Sequence, residues 1–572
     1  MKLIKYILAT ALLSVLGTSC VDLNYTEVTT NDEDWIYKSP IYGIQQLVTS
    51  VYAHLPNGFD KNYEGGSGST LAAATDEAEC ALFNSSVHRF YNGGWSPNNP
   101  FSFTWENSYK AIAEANNFLE KLDKIDLSDY ASNNDYEAMK SKFDLFEYEV
   151  RFLRAYYYFD LVRTYGDVPF TLKTLSNVEA NRISRTPALD VMNWIVEEMD
   201  AIAEYLPITY TTELNPEVGR ATRPMCLALK ARTLLYKASP LFNTSSNSGW
   251  WLDAARANHD VIKYAAQWGI TLGNYAKIWG SDNGDGSEVI FASKQGALNS
   301  WESYNYPIGV ENGQGGMCPT QTLVDLYEYN DGSGQTFGER HANADINVTC
   351  DNPYAELDPR FGLTIVKNGD LWPNYNTTPI ETFEGGINAA PLLNATPTGY
   401  YLKKYCDGNV NISTNDATTA PHAWVIMRLG EFYLNFAEAM YRYYGNAETA
   451  GEFGLTANGA INALRDREDV QMPHWSGNPS DWLQRYQRER FVELAFENQR
   501  FWDIRRWKCG SELATVKVAK LQKNADGDVV LTRRQETRNW EDKYYFFPIP
   551  FSEINKNPNL VQNPGWGTNN QQ

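Results

Sequence analysis

PMCLALKARTLLYKA, residues 224–238, reads as one helix whose apolar side is built partly from alanine. Ala228, Ala231 and Ala238 stand among Leu227, Leu229, Leu234, Leu235 and Tyr236 at three- and four-residue spacing, the period of an amphipathic helix. Small side chains at such positions let a second helix approach closely. Arg223-Pro224 is a helix start, because proline fits the first turn, and Thr186-Pro187 is another. Working outward, the same apolar period recurs at about 40–53, 103–124, 138–164, 187–206 and 250–268, and again at 427–444, 455–467 and 480–507. Successive helices of this kind predict a mainly α, tetratricopeptide-like stack of helix pairs, although the sequence repeat is blurred. Between about 269 and 425 the character changes. Gly, Asn, Asp and Pro cluster, as in GSDNGDGSE (280–288) and YNDGSGQTFGE (329–339), with short strand-like pieces such as EVIFAS (288–293). The expectation is one helical scaffold (about 40–268 and 427–507) carrying a large loop-rich insertion (269–425) and an extended C-terminal segment (540–572).

The net charge of −21 and the lack of a Lys/Arg run argue against nucleic acid, since no basic field is available to displace counterions from phosphates. The N-terminus carries Lys2 and Lys5, then a short apolar run from Tyr6 to Leu16, then Gly17, Thr18, Ser19 and Cys20. That order describes a secretory signal over residues 1–19, and Leu16 with the small residues before Cys20 forms a lipobox. Cleavage before Cys20 leaves a thiol and an amine for acyl chains, and several chains on one residue give stable anchoring. No later stretch is long and apolar enough to span a bilayer. The six remaining cysteines are far apart with no CxxC pair, and the His residues are scattered without HExxH, so no zinc or other metal site and no cofactor is expected. SDNGDGSE (281–288) matches a calcium loop at Asn283, Asp285 and Gly286, but Ser281 and Ala292 stand at the first and last ligand positions, and a polar turn explains it better.

Six blocks in order resemble the SusD (RagB/SusD) family: EVRFLRAYYYFDLVRTYGDVPF (149–170), LALKARTLLYKASPLFN (227–243), GYYLKKY (399–405), VIMRLGEFYLNFAEAMYR (425–442), RERFVELAFENQRFWDIRRW (488–507) and FFPIPFSEINKNPNLVQNPGW (546–566). The resemblance implies one SusD-like domain over 20–572 on the outer membrane, facing the cell exterior through its lipid anchor. It implies a partner as well, a SusC-like TonB-dependent transporter that the chain caps as a lid, and a poly- or oligosaccharide ligand with no chemistry required. Glu489, Glu493 and Glu497 form an i, i+4 acidic row, with Arg490 and Arg500 three residues from Glu493 and Glu497, within reach on one helix. The row reads as structural rather than catalytic.

Sugar binding needs flat aromatic faces and planar polar side chains. TDEAECALFNSSVHRFYNGGWSPNNPF (75–101) offers Asp76, Arg89, Trp95 and Asn98, and in starch-binding members of the resembled family this region supplies part of the sugar site. LNSWESYNYPIG (298–309) offers Trp301, Tyr304 and Tyr306, the two tyrosines sharing a face if the segment is a strand, and GDLWPNYN (369–376) offers Trp372. Each of these residues has core packing as its competing role. Asp76, Glu77 and Glu79 are the nearest approach to paired carboxylates, but sequence neighbours rarely span the 5–10 Å that a glycosidase requires. A helical glycoside hydrolase therefore stands as a remote alternative. A peptide or other non-glycan nutrient on the same architecture is the nearer one.

Overall fold

A computed structural model describes residues 33–59, 68–210, 219–279, 288–342 and 345–567. The signal segment, Cys20 and most of the calcium-like turn lie outside the described residues. The scaffold helices are α1 (Gln45–Tyr52), α2 (Phe103–Leu119), α3 (Phe146–Tyr165), α4 (Ala188–Ile202), α5 (Arg223–Ala238) and α6 (Gly249–Ala265), followed by α7 (Leu429–Tyr444), α8 (Ala457–Arg465), α9 (Trp482–Glu493) and α10 (Gln499–Trp507). Each of α1 to α7 packs on the next, and α6 meets α7 directly although residues 266–428 intervene. The mainly α stack expected from the sequence is therefore present, and the insertion leaves it at a single point. On α5, Ala228, Ala231 and Ala238 are buried, as the alanine pattern required. Gly166 ends α3 with φ +72°, where a β-carbon would press on the Phe546 ring. That aromatic contact brings the C-terminal segment back against α3.

The base of the insertion is clasped by an antiparallel ladder. Strand β1 (Val289–Leu298) pairs with β2 (Ala420–Arg428), from Val289 opposite Arg428 to Leu298 opposite Ala420, with irregularities of register. A second ladder was not anticipated: β3 (Thr515–Lys523) and β4 (Val529–Thr537) form a hairpin, and β4 also pairs with Ile346 and Asn347 of the insertion. Its turn holds Asp526-Gly527, with Gly527 at φ +90°, and Asn524 Oδ1 accepts from the Asp526 and Asp528 N–H groups. The hairpin ties the C-terminal third of the chain to the insertion through Lys517 and Arg533 on Asp325.

The acidic row is structural, but its partners are not the predicted ones. Arg428, at the end of β2, donates to Glu288, Glu493 and Glu497 at 2.7–2.9 Å. Arg467 bridges Glu493 (2.6 Å) and Glu288 (2.8 Å). Arg360 contacts Asp358, Glu489 and Glu493, Arg465 contacts Glu328 and Glu489, and Lys404 contacts Glu497. Arg490 instead turns to Asp503 on α10, and Arg500 to Asp76. The predicted same-helix pairs fail because the expected single helix over 480–507 is broken. Phe496 and Asn498 both adopt left-handed backbone, φ +63° and +64°, so α10 starts on a new axis. Glu77, from the loop after α1, accepts the Phe496 N–H at that break.

Burial alone would raise the Glu493 carboxyl, yet Arg467, Arg428 and Arg360 overcome it and hold the group well below the carboxylate range. Glu77 forms no ion pair among the described residues, and burial, outweighing the Phe496 N–H and the more distant Lys404 and Arg500, pushes it up to about 8. Removing Arg428 as Arg428→Met leaves three buried carboxylates short of a partner and is expected to destabilise the chain by about 3–5 kcal/mol. Arg256→Ala, which breaks a half-exposed pair with Glu452, should cost no more than about 1 kcal/mol in the same thermal unfolding series. The Glu77 carboxyl is protonated in the folded chain over a range where the unfolded chain, near the ordinary 4.5, has released its proton. Its stabilising contribution is therefore full below about 4.5 and lost as the pH rises to about 8. Denaturant unfolding at pH 5 and pH 8 should show a smaller loss for Glu77→Gln than for the natural chain, by on the order of a few kcal/mol. Equal losses would contradict this assignment.

Candidate functional site

The two loop regions singled out from the sequence lie side by side. Residues 78–80 pair with 317–319 in a short antiparallel ladder, and the Ala81 N–H donates to the Gly316 carbonyl at 2.8 Å. This places the loop that follows Cys80 beside the segment that follows Tyr306. Within them the candidate residues divide into inward and outward sets.

Asp76 is buried and forms a two-point contact with Arg500, 3.0 and 2.7 Å, so it neither caps a turn nor meets solvent. Trp95 is 2% exposed. Its ring lies among Phe90, Phe547, Trp566 and Tyr544, with centroids at 4.9, 4.7, 4.9 and 5.2 Å. Tyr544 stacks on the ring and the other three meet it at steep angles, so it is enclosed by aromatic neighbours, three of which come from the C-terminal segment. Arg89 and Asn98 are on the surface side of the same loop. The Arg89 guanidinium stacks on Phe101 at 4.1 Å and donates to the Asn99 side chain, while Asn98 is exposed.

Residues 300–305 form a short helix rather than a strand, so Tyr304 and Tyr306 do not share a face. Trp301 points into the core, edge-on to Phe59 at 5.2 Å. Tyr306 is fully buried, and its hydroxyl donates to the carbonyls of Asp407 (2.6 Å) and Val410 (3.0 Å). Tyr304 is half-buried, packed where a β-carbon on Gly68 would stand.

Trp372 and Tyr306 are brought together, ring centroids 6.1 Å apart, and Tyr375 adds a third ring 6.5 Å from Tyr306. Trp372 is 6% exposed and forms part of the wall of an open pocket of about 350 Å³, shared with Tyr354, Phe361, Lys367, Asp370, Leu371 and Lys403. The outward aromatic and apolar side chains of this region are ones the sequence reading passed over. They are Phe83 (75% exposed), Leu371, Tyr375, Ile387, Leu392 and Leu393. Tyr375 stands three residues from Trp372 in the same GDLWPNYN motif, and its ring is the half-exposed one. The local signal was the run of Asn, Gly and Pro around it, which marks surface backbone. The carboxylates Asp76, Glu77 and Glu79 are engaged with Arg500, the Phe496 N–H and Arg538 respectively. The surface thus combines aromatic and aliphatic patches with Asn, Lys and Arg groups, an arrangement suited to holding a ligand.

Residues 287–566 match the sequence model of the SusD family, and residues 29–235 match a second SusD-like model described as starch-binding and associating with the outer membrane. Among curated relatives, SusD-like protein P2 of Formosa agariphila is 24% identical over 484 residues, 82% of this chain and 81% of that protein. A SusD-like protein of Bacteroides fragilis has a similar structure, with a TM-score of 0.76, 25% identity, and coverage of 93% of this chain and 98% of that one. A SusD-like carbohydrate-binding protein of the same species has a TM-score of 0.73 at 24% identity, with coverage of 92% and 99%. The two matches together take in most of the helical stack and the insertion with its C-terminal clasp, and the chain belongs to the SusD (RagB/SusD) family.

Proposed function

We propose that this chain is a cell-surface glycan receptor, anchored in the outer membrane through acyl chains on Cys20. It captures poly- or oligosaccharide on the insertion face and passes it to a SusC-like TonB-dependent transporter, over which the helical stack docks as a lid. The observation that carries the reading is likeness along nearly the whole chain to a SusD-like carbohydrate-binding protein, joined to the starch-binding, outer-membrane description of the N-terminal match. The geometry supports a division of labour. The helices α1–α8 form a continuous stack, while the exposed aromatic and amide side chains considered for ligand lie in the insertion and in the loop over 75–101 that pairs with it. A receptor rather than a hydrolase is supported by the use of Asp76, Glu77 and Glu79 in internal contacts. A glycosidase needs two carboxyls facing one another across a cleft.

The candidate ligand residues follow exposure. Tyr375, Arg89, Asn98 and Tyr304 are the candidates open to a sugar, and Trp372 lines the pocket beside Lys403. Trp95, Trp301, Tyr306 and Asp76 support the loops that carry them. Affinity gel electrophoresis of the chain from residue 21 against plant, microbial and host polysaccharides is expected to show retardation by one glycan class, with no reducing sugar released. Tyr375→Ala should weaken that retardation while leaving the unfolding temperature near that of the natural chain. Trp95→Ala should instead cost about 3–5 kcal/mol of stability. Retardation by no glycan would transfer the reading to a peptide or other nutrient, and released sugar would end the non-enzyme assignment. Cys20→Ser should shift the protein from the outer-membrane fraction to the soluble one, because the acyl chains are its expected hold on the bilayer.

A further inference from the structure

The pocket walled by Trp372 differs electrostatically from the rest of a chain that carries a net charge of −21. Two carboxylates line it, and both are already engaged by cations of the protein itself. Asp358 receives Arg360 through both of its oxygens, and Asp370 accepts the backbone N–H and the ammonium of Lys367. The Tyr354 hydroxyl is engaged with that of Tyr400. Lys403 is the exception. Its ammonium donates to the Gly362 carbonyl at 2.8 Å and sits 5.1 Å from the Trp372 ring centroid, and among the described residues it forms no ion pair. Burial draws the Lys403 ammonium below the lysine range, with Asp370 opposing and Lys367 adding to the effect. A second donor of the same wall, the Trp372 indole N–H, has no acceptor among the described residues.

We infer that this pocket binds the anionic substituent of a sugar, a uronate carboxylate or a sulfate ester, through Lys403. The inference rests on the glycan-receptor reading and names the class of glycan. A partly buried cation whose one hydrogen-bond acceptor among the described residues is a carbonyl is open to an anion, which forms a charge-assisted hydrogen bond against the low-dielectric wall of the pocket. Leu371 at the rim, the side chain next to Trp372, offers apolar surface to the sugar ring that bears the charge. About 350 Å³ is at the low end of ligand pockets, so the site takes one substituted residue of a chain rather than a long segment.

The test uses the chain from residue 21 in affinity gels containing polygalacturonate, a sulfated galactan or a neutral β-glucan at matched ionic strength. The expected result is retardation by a charged polysaccharide, with polygalacturonate and the galactan distinguishing carboxylate from sulfate. Lys403→Gln should bind it about tenfold more weakly, and Lys403→Arg should keep most of the affinity. Charged-glycan retention unchanged in Lys403→Gln overturns the inference. Retardation of the natural chain by neutral glucan alone also overturns it, but leaves the receptor reading intact. Retardation by no polysaccharide removes both. Thermal unfolding checks the integrity of each variant. Should Lys403→Gln not fold, the salt dependence of the natural chain decides: retention that falls with added NaCl supports the ion contact, and salt-independent retention overturns it.

Discussion

The structure depends on a buried cluster of charge. Glu288, Glu328, Asp358, Glu489, Glu493 and Glu497 meet Arg360, Arg428, Arg465, Arg467 and Lys404 in the interior, and these groups come from the insertion, the base ladder, α8 and the segment after it, α9, and the break before α10. Bringing so many ions out of water is costly, and each is tolerable only while all the others are in place. The cluster therefore acts less as a source of stability than as a condition on geometry. An apolar interface would accept a small shift of the insertion on the stack, whereas guanidinium groups shared between two or three carboxylates do not. Arg428 has the most demanding place, since it ends β2, begins α7, and contacts three glutamates from two distant parts of the chain.

A second ionic group extends the same logic along the helices. Asp503 receives both Arg490 and Arg506, and Glu438 receives Arg506 and the Trp507 indole N–H, so α7, α9 and α10 are fixed to one another. Both groups lie in the interior. The insertion can then present varied side chains on a base that does not move. This is the usual relation of binding loops to a rigid scaffold.

The helices were legible in the sequence because their burial is one-sided and periodic. The predicted segments at 224–238 and 427–444 match α5 and α7 to within two residues. The break between α9 and α10 was not legible, since it depends on left-handed backbone at Phe496 and Asn498 and on Glu77 from far up the chain. The role of the acidic row could be read, but not its partners. Spacing on one helix names near neighbours, and the actual cations arrive from elsewhere in the fold. The hairpin over 515–537 was missed although Val516 and Val518 alternate with lysines and Asp526-Gly527 marks the turn. For the candidate site, composition singled out two loop regions and could not tell which way each ring faces. Trp95 turns inward because Tyr544, Phe547 and Trp566, at the opposite end of the sequence, are there to receive it.

The direct packing of α6 on α7 has a consequence for the order in which the chain comes into being. When α6 leaves the ribosome its buried face, with Trp251, Ala254, Asn258 and Val261, has α5 on one side and nothing on the other. The partner helix is not synthesised until the whole insertion has been made, and Glu489, Glu493 and Glu497 come later still. A growing chain therefore exposes apolar surface at the sixth helix until the insertion is complete, and Arg360, Arg428, Arg465 and Arg467 are made before three of their carboxylates, Glu489, Glu493 and Glu497. Its long-range contacts form late and nearly together. A protein arranged in this way has its folding gated by the last hundred residues, and a chain truncated before α9 is left as an unfinished stack rather than a smaller working one.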